Sequence, residues 1–178
     1  MKIPKHLPLG IIILFSLLVS GCGGGVSNAY APTQEGNVFA KQGELEAAIE
    51  KFELAIGLDP NFAPAYSNRG YVNNLLKEYD VAIEDFNEAL RLDPQFSAAY
   101  NNRGFAYRNL GRYEVALADF DEAIRLNPLY ADAYAGRSLT NTSLGNDAQA
   151  EKDFEQAVSL GYDRDEFKVE FDDVTDQR

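Results

Sequence analysis

The chain has 178 residues, with 28 acidic against 16 basic side chains and a formal net charge of −12. That balance excludes a nucleic-acid binder, whose affinity rests on neutralising phosphates with lysine and arginine. One histidine, one cysteine and no tryptophan leave little material for nucleophilic or zinc chemistry.

Residues 1–21 begin with Lys2, Lys5 and His6, and an apolar run fills residues 9–19. The run is too short to span a bilayer comfortably and suits a cleaved signal. It ends in Val19-Ser20-Gly21-Cys22, small residues ahead of the lone cysteine. This resembles the lipobox of bacterial lipoproteins; a plain secretory signal with an incidental cysteine is the alternative. The resemblance implies cleavage before Cys22 and acylation of its sulfur and new amino end. Two or more acyl chains anchor a protein stably, at ~0.8 kcal/mol per buried CH₂. It further implies a bacterial cell-envelope protein outside the cytoplasm. Gly23 after the cysteine leans towards the outer membrane, facing the periplasm, over the inner one. Residues 22–28 then form a glycine-rich tether of about 15–20 Å from Cys22 to Pro32.

With Lys2 and Lys5 removed, 14 basic side chains stand against 28 acidic, a net charge of −14. His6 leaves with the signal and Cys22 is taken by lipid. The remaining chain has neither imidazole nor free thiol, so Ser–His and Cys–His nucleophiles and His/Cys zinc sites are excluded. No glycine-rich phosphate loop or calcium loop is present. An enzyme is not expected, nor a cofactor.

The rest of the chain repeats every 34 residues. Tyr66, Tyr100 and Tyr134 share one column, and Ala48, Ala82, Ala116 and Ala150 another. Phe52, Phe86, Phe120 and Phe154 form a third, Ala55, Ala89, Ala123 and Ala157 a fourth, and Pro60, Pro94 and Pro128 a fifth. A fixed period with this many matching columns signals a repeat array. The units are residues 29–62, 63–96, 97–130 and 131–164, the first and last degenerate. Within the third unit Tyr100, Gly104, Tyr107 and Leu110 fall on one face of a helix that Gly111 ends. Ala116, Phe120, Ala123 and Ile124 give a second amphipathic helix, which Asn127-Pro128 stops. Each unit is thus an antiparallel helix pair, and neighbours must stack to bury its apolar face. Gly70 and Gly104 leave room for close helix approach.

Tyr100, Gly104, Tyr107, Ala116, Phe120, Ala123 and Pro128 stand in the places of the tetratricopeptide repeat, which the chain resembles over residues 29–162. Arg103 departs from the leucine usual at its place. The resemblance implies an all-α, right-handed superhelical array of antiparallel helix pairs, about four repeats long. It also implies that the first helix of each pair lines a concave groove. The partner is then another protein or an extended peptide segment, and the chain an adaptor or assembly factor of the envelope. The rival is a structural role, with self-association, a homodimer for instance, through the end faces.

Residues 165–178 form an acidic tail. Phe167, Phe171 and Val174 at i, i+4 and i+7 predict a short helix closing the last repeat, although Phe167, Val169 and Phe171 also alternate as in a strand.

Two sets of candidate functional residues follow. Arg69, Arg103 and Arg137 recur, and 16 residues later stand Asp85, Asp119 and Asp153. In the first unit the same places hold Glu35 and Lys51, with the signs exchanged together. An antiparallel hairpin brings these places close, which predicts an ion pair in every unit that serves register rather than stability; independent surface charges are the alternative. The second set is the groove face: Gln34, Asn37 and Lys41, then Ser67, Asn68, Tyr71 and Leu75. The third unit offers Ala98, Asn101, Asn102, Phe105 and Asn109, and the fourth Asp132, Leu139 and Ser143. Asn68 and Asn102 share a column, and carboxamides can pair with a peptide backbone of any sequence; asparagine is also a tolerated residue on a helix surface. Tyr71 and Phe105 would add apolar area. The family's carboxylate clamp needs a lysine where Thr33 stands, so chaperone-tail binding is not implied.

Overall fold

The computed structural model describes residues 28–177, so the expectations for residues 1–21 and for Cys22 lie outside it. Among the described residues are nine α-helices and no strand. They run α1 Tyr30–Gln42, α2 Leu45–Leu58, α3 Ala63–Leu75, α4 Tyr79–Leu92 and α5 Ser97–Asn109. They continue as α6 Tyr113–Leu126, α7 Ala131–Ser143, α8 Asp147–Ser159 and α9 Arg164–Asp176. From α3 and α2 onward, the starts recur at the 34-residue period.

The turn inside each pair needs a left-handed residue. Gly43, Gly111 and Gly145 supply it with φ of 81°, 71° and 76°. Lys77 holds the same place in the second pair at φ 64°, a conformation that costs a side-chain-bearing residue about 1 kcal/mol. Between pairs, the side chains of Asp59, Asp93 and Asn127 accept backbone N–H bonds from Asn61, Gln95 and Leu129 at 3.0, 2.9 and 3.2 Å. These Asx turns bracket Pro60, Pro94 and Pro128 and fix the stop of each second helix.

Phe52, Phe86, Phe120 and Phe154 are at most 2 % exposed, and the two alanine columns are at 0 %. Each phenylalanine fills the space between paired helices. A Cβ on Gly36, Gly70 or Gly104 would lie 2.5, 2.9 or 2.9 Å from the ring of Phe52, Phe86 or Phe120. The glycines are therefore where the first helix meets the second.

The tail folds as α9, not as a strand. Asp163 caps it, its side chain accepting from the N–H of Glu166 at 2.9 Å. Phe167 is buried and stacks on Phe154, with centroids 4.8 Å apart, and Phe171 meets the same ring edge-on at 5.2 Å. Val169 stays exposed, as helical spacing requires. α9 thus covers the apolar end of the fourth pair.

Candidate binding groove

All four expected ion pairs are present in the geometry. Lys51 lies 2.5 Å from Glu35, and Arg69, Arg103 and Arg137 lie 2.6, 2.7 and 2.7 Å from Asp85, Asp119 and Asp153. The three aspartates are almost fully buried and the arginine contacts are two-pronged. Asn73 adds a bond to Asp85 at 3.0 Å. Burial pushes the Asp119 carboxyl up, and the bonds and charge of Arg103 pull it back only in part. Desolvation thus outweighs attraction on that carboxylate, whereas on Arg103 the bonds and charge of Asp119 outweigh desolvation.

The sequence reading missed a further arm. Arg103 Nη1 donates to Asn87 Oδ1 at 2.6 Å, and Arg137 Nη1 to Asp121 Oδ1 at 2.6 Å. Arg69 Nη1 lies 4.0 Å from Glu53 Oε1. Each partner sits on the second helix of the preceding pair. Each arginine also lies over the tyrosine three residues before it, 5.4 to 5.8 Å from the ring centroid. The same guanidinium therefore joins helices within a pair and pairs to each other. The signal was in the sequence, since these partners stand 16 residues upstream of each arginine.

An open groove of about 530 Å³ runs across the first helices. α1 contributes Gln34, Asn37, Val38 and Lys41; α3 contributes Asn68, Tyr71 and Leu75. Asn102 of α5 and Tyr130 with Asp132 at the start of α7 complete the wall. Val38, Tyr71 and Leu75 are 53, 45 and 48 % exposed, an apolar patch left uncovered beside carboxamides. Asn68 Nδ2 donates to Asn37 Oδ1 at 2.8 Å. The Asn68 oxygen and the Asn37 amide hydrogens are thereby aimed and left for a ligand. Burial, then the charge of Asp132, pushes the Tyr130 phenol up to about 12, so it remains a donor at neutral pH.

Four expected groove residues are corrected. Asn101 is only 2 % exposed; its amide turns to Asn102 at 3.2 Å and its Oδ1 is buried without a hydrogen-bond partner. It is buried and does not face the groove. Phe105 is half-buried and packs edge-on against Phe120, with centroids 5.1 Å apart, close against Gly136. Its ring is core and not a free anchor. Ser67 and Leu139 are likewise buried at 2 %. Asn109 and Ser143 lie apart from the main groove and line a separate pocket.

The family comparison agrees with this architecture. The model described as TPR repeat matches residues 36–75 and 74–111, and tetratricopeptide repeat models match residues 97–130 and 131–160. This chain is a tetratricopeptide-repeat protein. Among solved structures, the array superposes on TTC0263, a thermophilic tetratricopeptide protein of Thermus thermophilus, with a TM-score of 0.72 at 24 % identity, covering 84 % of this chain and 82 % of that one. The chain MamA matches with a TM-score of 0.67 at 25 % identity over 75 % of this chain and 78 % of its own. The first tetratricopeptide domain of Spaghetti (RPAP3), bound to the HSP90 peptide SRMEEVD, matches with a TM-score of 0.65 at 27 % identity over 70 % and 99 %. No curated protein matches the chain by sequence.

Proposed function

We propose that this tetratricopeptide array holds an extended segment of a partner protein in the groove across α1, α3 and α5. The observation that carries the reading is the uncovered patch of Val38, Tyr71 and Leu75 set beside the aimed carboxamides of Asn37, Asn68 and Asn102. The rings and aliphatic chains supply apolar area, and the carboxamides pair with backbone groups irrespective of sequence. RPAP3 domains with the same fold hold HSP90 and HSP70 peptides, which supports peptide docking as the class of activity. The chaperone-tail clamp itself does not carry over. Thr33 stands in place of its lysine, is 2 % exposed, and gives its hydroxyl to Ala29 O at 2.8 Å.

In this reading the groove is presented from a membrane by an acylated Cys22 in the bacterial envelope, where the chain serves as an adaptor or assembly factor. The order of basic start, apolar run, small residues and cysteine in residues 1–22 supports that placement. Cys22→Ala should leave the chain uncut or release it from the detergent phase; normal processing and partitioning of that variant would remove the anchor from the reading.

The groove is tested with a photo-crosslinker installed at Gln34, partner identification by mass spectrometry, and titration of the purified partner. Tyr71→Ala/Leu75→Ala and Asn68→Ala/Asn102→Ala should each weaken binding by about 30-fold, the ~2 kcal/mol typical of central anchors. Undiminished binding by both variants with intact helix content would mean that the concave face is not the site.

A further inference from the structure

Arg69, Arg91, Arg103, Arg125, Arg137 and Arg164 each lie 2.5 to 2.7 Å from a carboxylate, and Arg112 lies 3.9 Å from Asp80. Arg108 differs. Among the described residues no carboxylate is in ion-pair contact with it, and its Nε is buried without a hydrogen-bond partner. Burial pulls its pKa down, opposed by the charge of Glu170 at longer range. A guanidinium Nε–H held out of water with no partner is a costly state. Here it persists in a chain with 28 acidic side chains.

Arg108 forms one wall of a pocket of about 310 Å³ between α5, α6, α7 and α9. Asn109 and Tyr113 stand beside it with an amide and a phenol to donate, and Val174 gives the one apolar contact. Ser143 lines the far side, its hydroxyl proton already given to Leu139 O at 3.0 Å. Asn109 and Ser143 hold the same place in their repeats as Lys41 and Leu75 in the groove, so the pocket lies on the continuation of that groove.

We propose that this pocket receives the carboxylate of an acidic side chain on the bound segment, with Arg108 as the charge and Asn109 and Tyr113 as neutral donors. The pocket offers one guanidinium, which takes one carboxylate through two parallel N–H bonds. Val174 is placed for the methylenes of glutamate. The proposal rests on the groove reading, and it names the chemistry the partner must bring.

The probe is N-acetylglutamate α-amide, titrated at fixed ionic strength into the full chain labelled uniformly with ¹⁵N in zwitterionic micelles. The Arg108 Nε–H signal should shift saturably, and Arg108→Met should weaken the binding read at Ser143 at least tenfold. Glu170→Gln, which leaves Arg108 in place, should tighten binding several-fold by removing the carboxylate whose charge acts on Arg108. Equal shifts from N-acetylglutamine amide or from sodium chloride would overturn the proposal, as would unchanged binding by a folded Arg108→Met variant. A stronger response to N-acetylglycine would overturn the side-chain assignment in favour of a chain-terminal carboxylate. None of these outcomes depends on the crosslink from Gln34, so the pocket can fail while the groove stands.

Discussion

Removing Asp119 alone should damage the array more than removing it together with Arg103. The Asp119 side chain is 7 % exposed and that of Arg103 19 %. In Asp119→Ala the guanidinium keeps Asn87 and the Tyr100 ring but loses both bonds to the carboxylate. Breaking a buried pair on one side costs about 3–5 kcal/mol, and the partial exposure of Arg103 puts this case at about 3. Arg103→Leu/Asp119→Ala strands no charge, restores the family's usual leucine, and leaves only the exposed Asn87 to rehydrate; about 1 kcal/mol is expected. At about 2–4 °C per kcal/mol for a chain of this size, the single variant should melt about 6–12 °C lower and the double about 2–4 °C lower. Far-UV circular dichroism reads both, and hydrogen exchange in α5 and α6 localises the loss, since repeat arrays can open unit by unit. A double variant as unstable as the single, or additive with Arg103→Leu alone, would refute the reasoning. The pair would then be a net source of stability.

Three further outcomes follow from the backbone, from a close packing contact and from a buried phenol. Lys77→Gly should raise stability by about 1 kcal/mol, because it releases a left-handed residue in the second turn. Gly136→Ala should lower it by about 1–3 kcal/mol, because its Cβ would lie 2.5 Å from a Phe120 ring that has no room to move; melting curves that rank these two the other way would contradict the packing. Tyr130 binds its proton more tightly when folded, at about 12, than at the ordinary 10 of an open chain. Its contribution is therefore complete below about pH 10 and is lost as pH rises through 12. Tyr130→Phe should flatten that alkaline decline in urea titrations; an unchanged slope would place the loss elsewhere.

Much of the fold was legible because every unit repeats the same solution. Columns such as Phe86 and Phe120 fix the core, and the antiparallel hairpin makes the 16-residue pairing of Arg103 with Asp119 a geometric consequence. The groove was harder because it depends on what the neighbouring unit places above each side chain. Tyr71 and Phe105 share a column, yet one is exposed and the other covered. The difference lies in the next first helix, where Asn102 stands over the first and Gly136 over the second. The missing Cβ at Gly136 lets α7 close on Phe105. Asn101 shows the same limit: its neighbour Asn102 lines the groove, but one step round the helix Asn101 is buried. A reading of single columns cannot see such pairs of columns, and it passed over Arg108 because no other repeat has an arginine there.

The arginine arm that reaches back to the preceding repeat gives the array a direction. The first repeat has no such arm, because Glu35 and Lys51 stand in the exchanged order. In the fourth repeat the residue equivalent to Glu53, Asn87 and Asp121 is Glu155, already held by Arg164 at 2.5 Å. If a second copy stacked head to tail on the fourth repeat, its Glu35 would face Glu155 where the internal joints place an arginine. Carboxylate would meet carboxylate, on an end that α9 already covers. The internal joints use a rule that the two ends do not obey towards each other, so a head-to-tail joint between copies would lack the arginine arm that every internal joint from the second repeat onward carries.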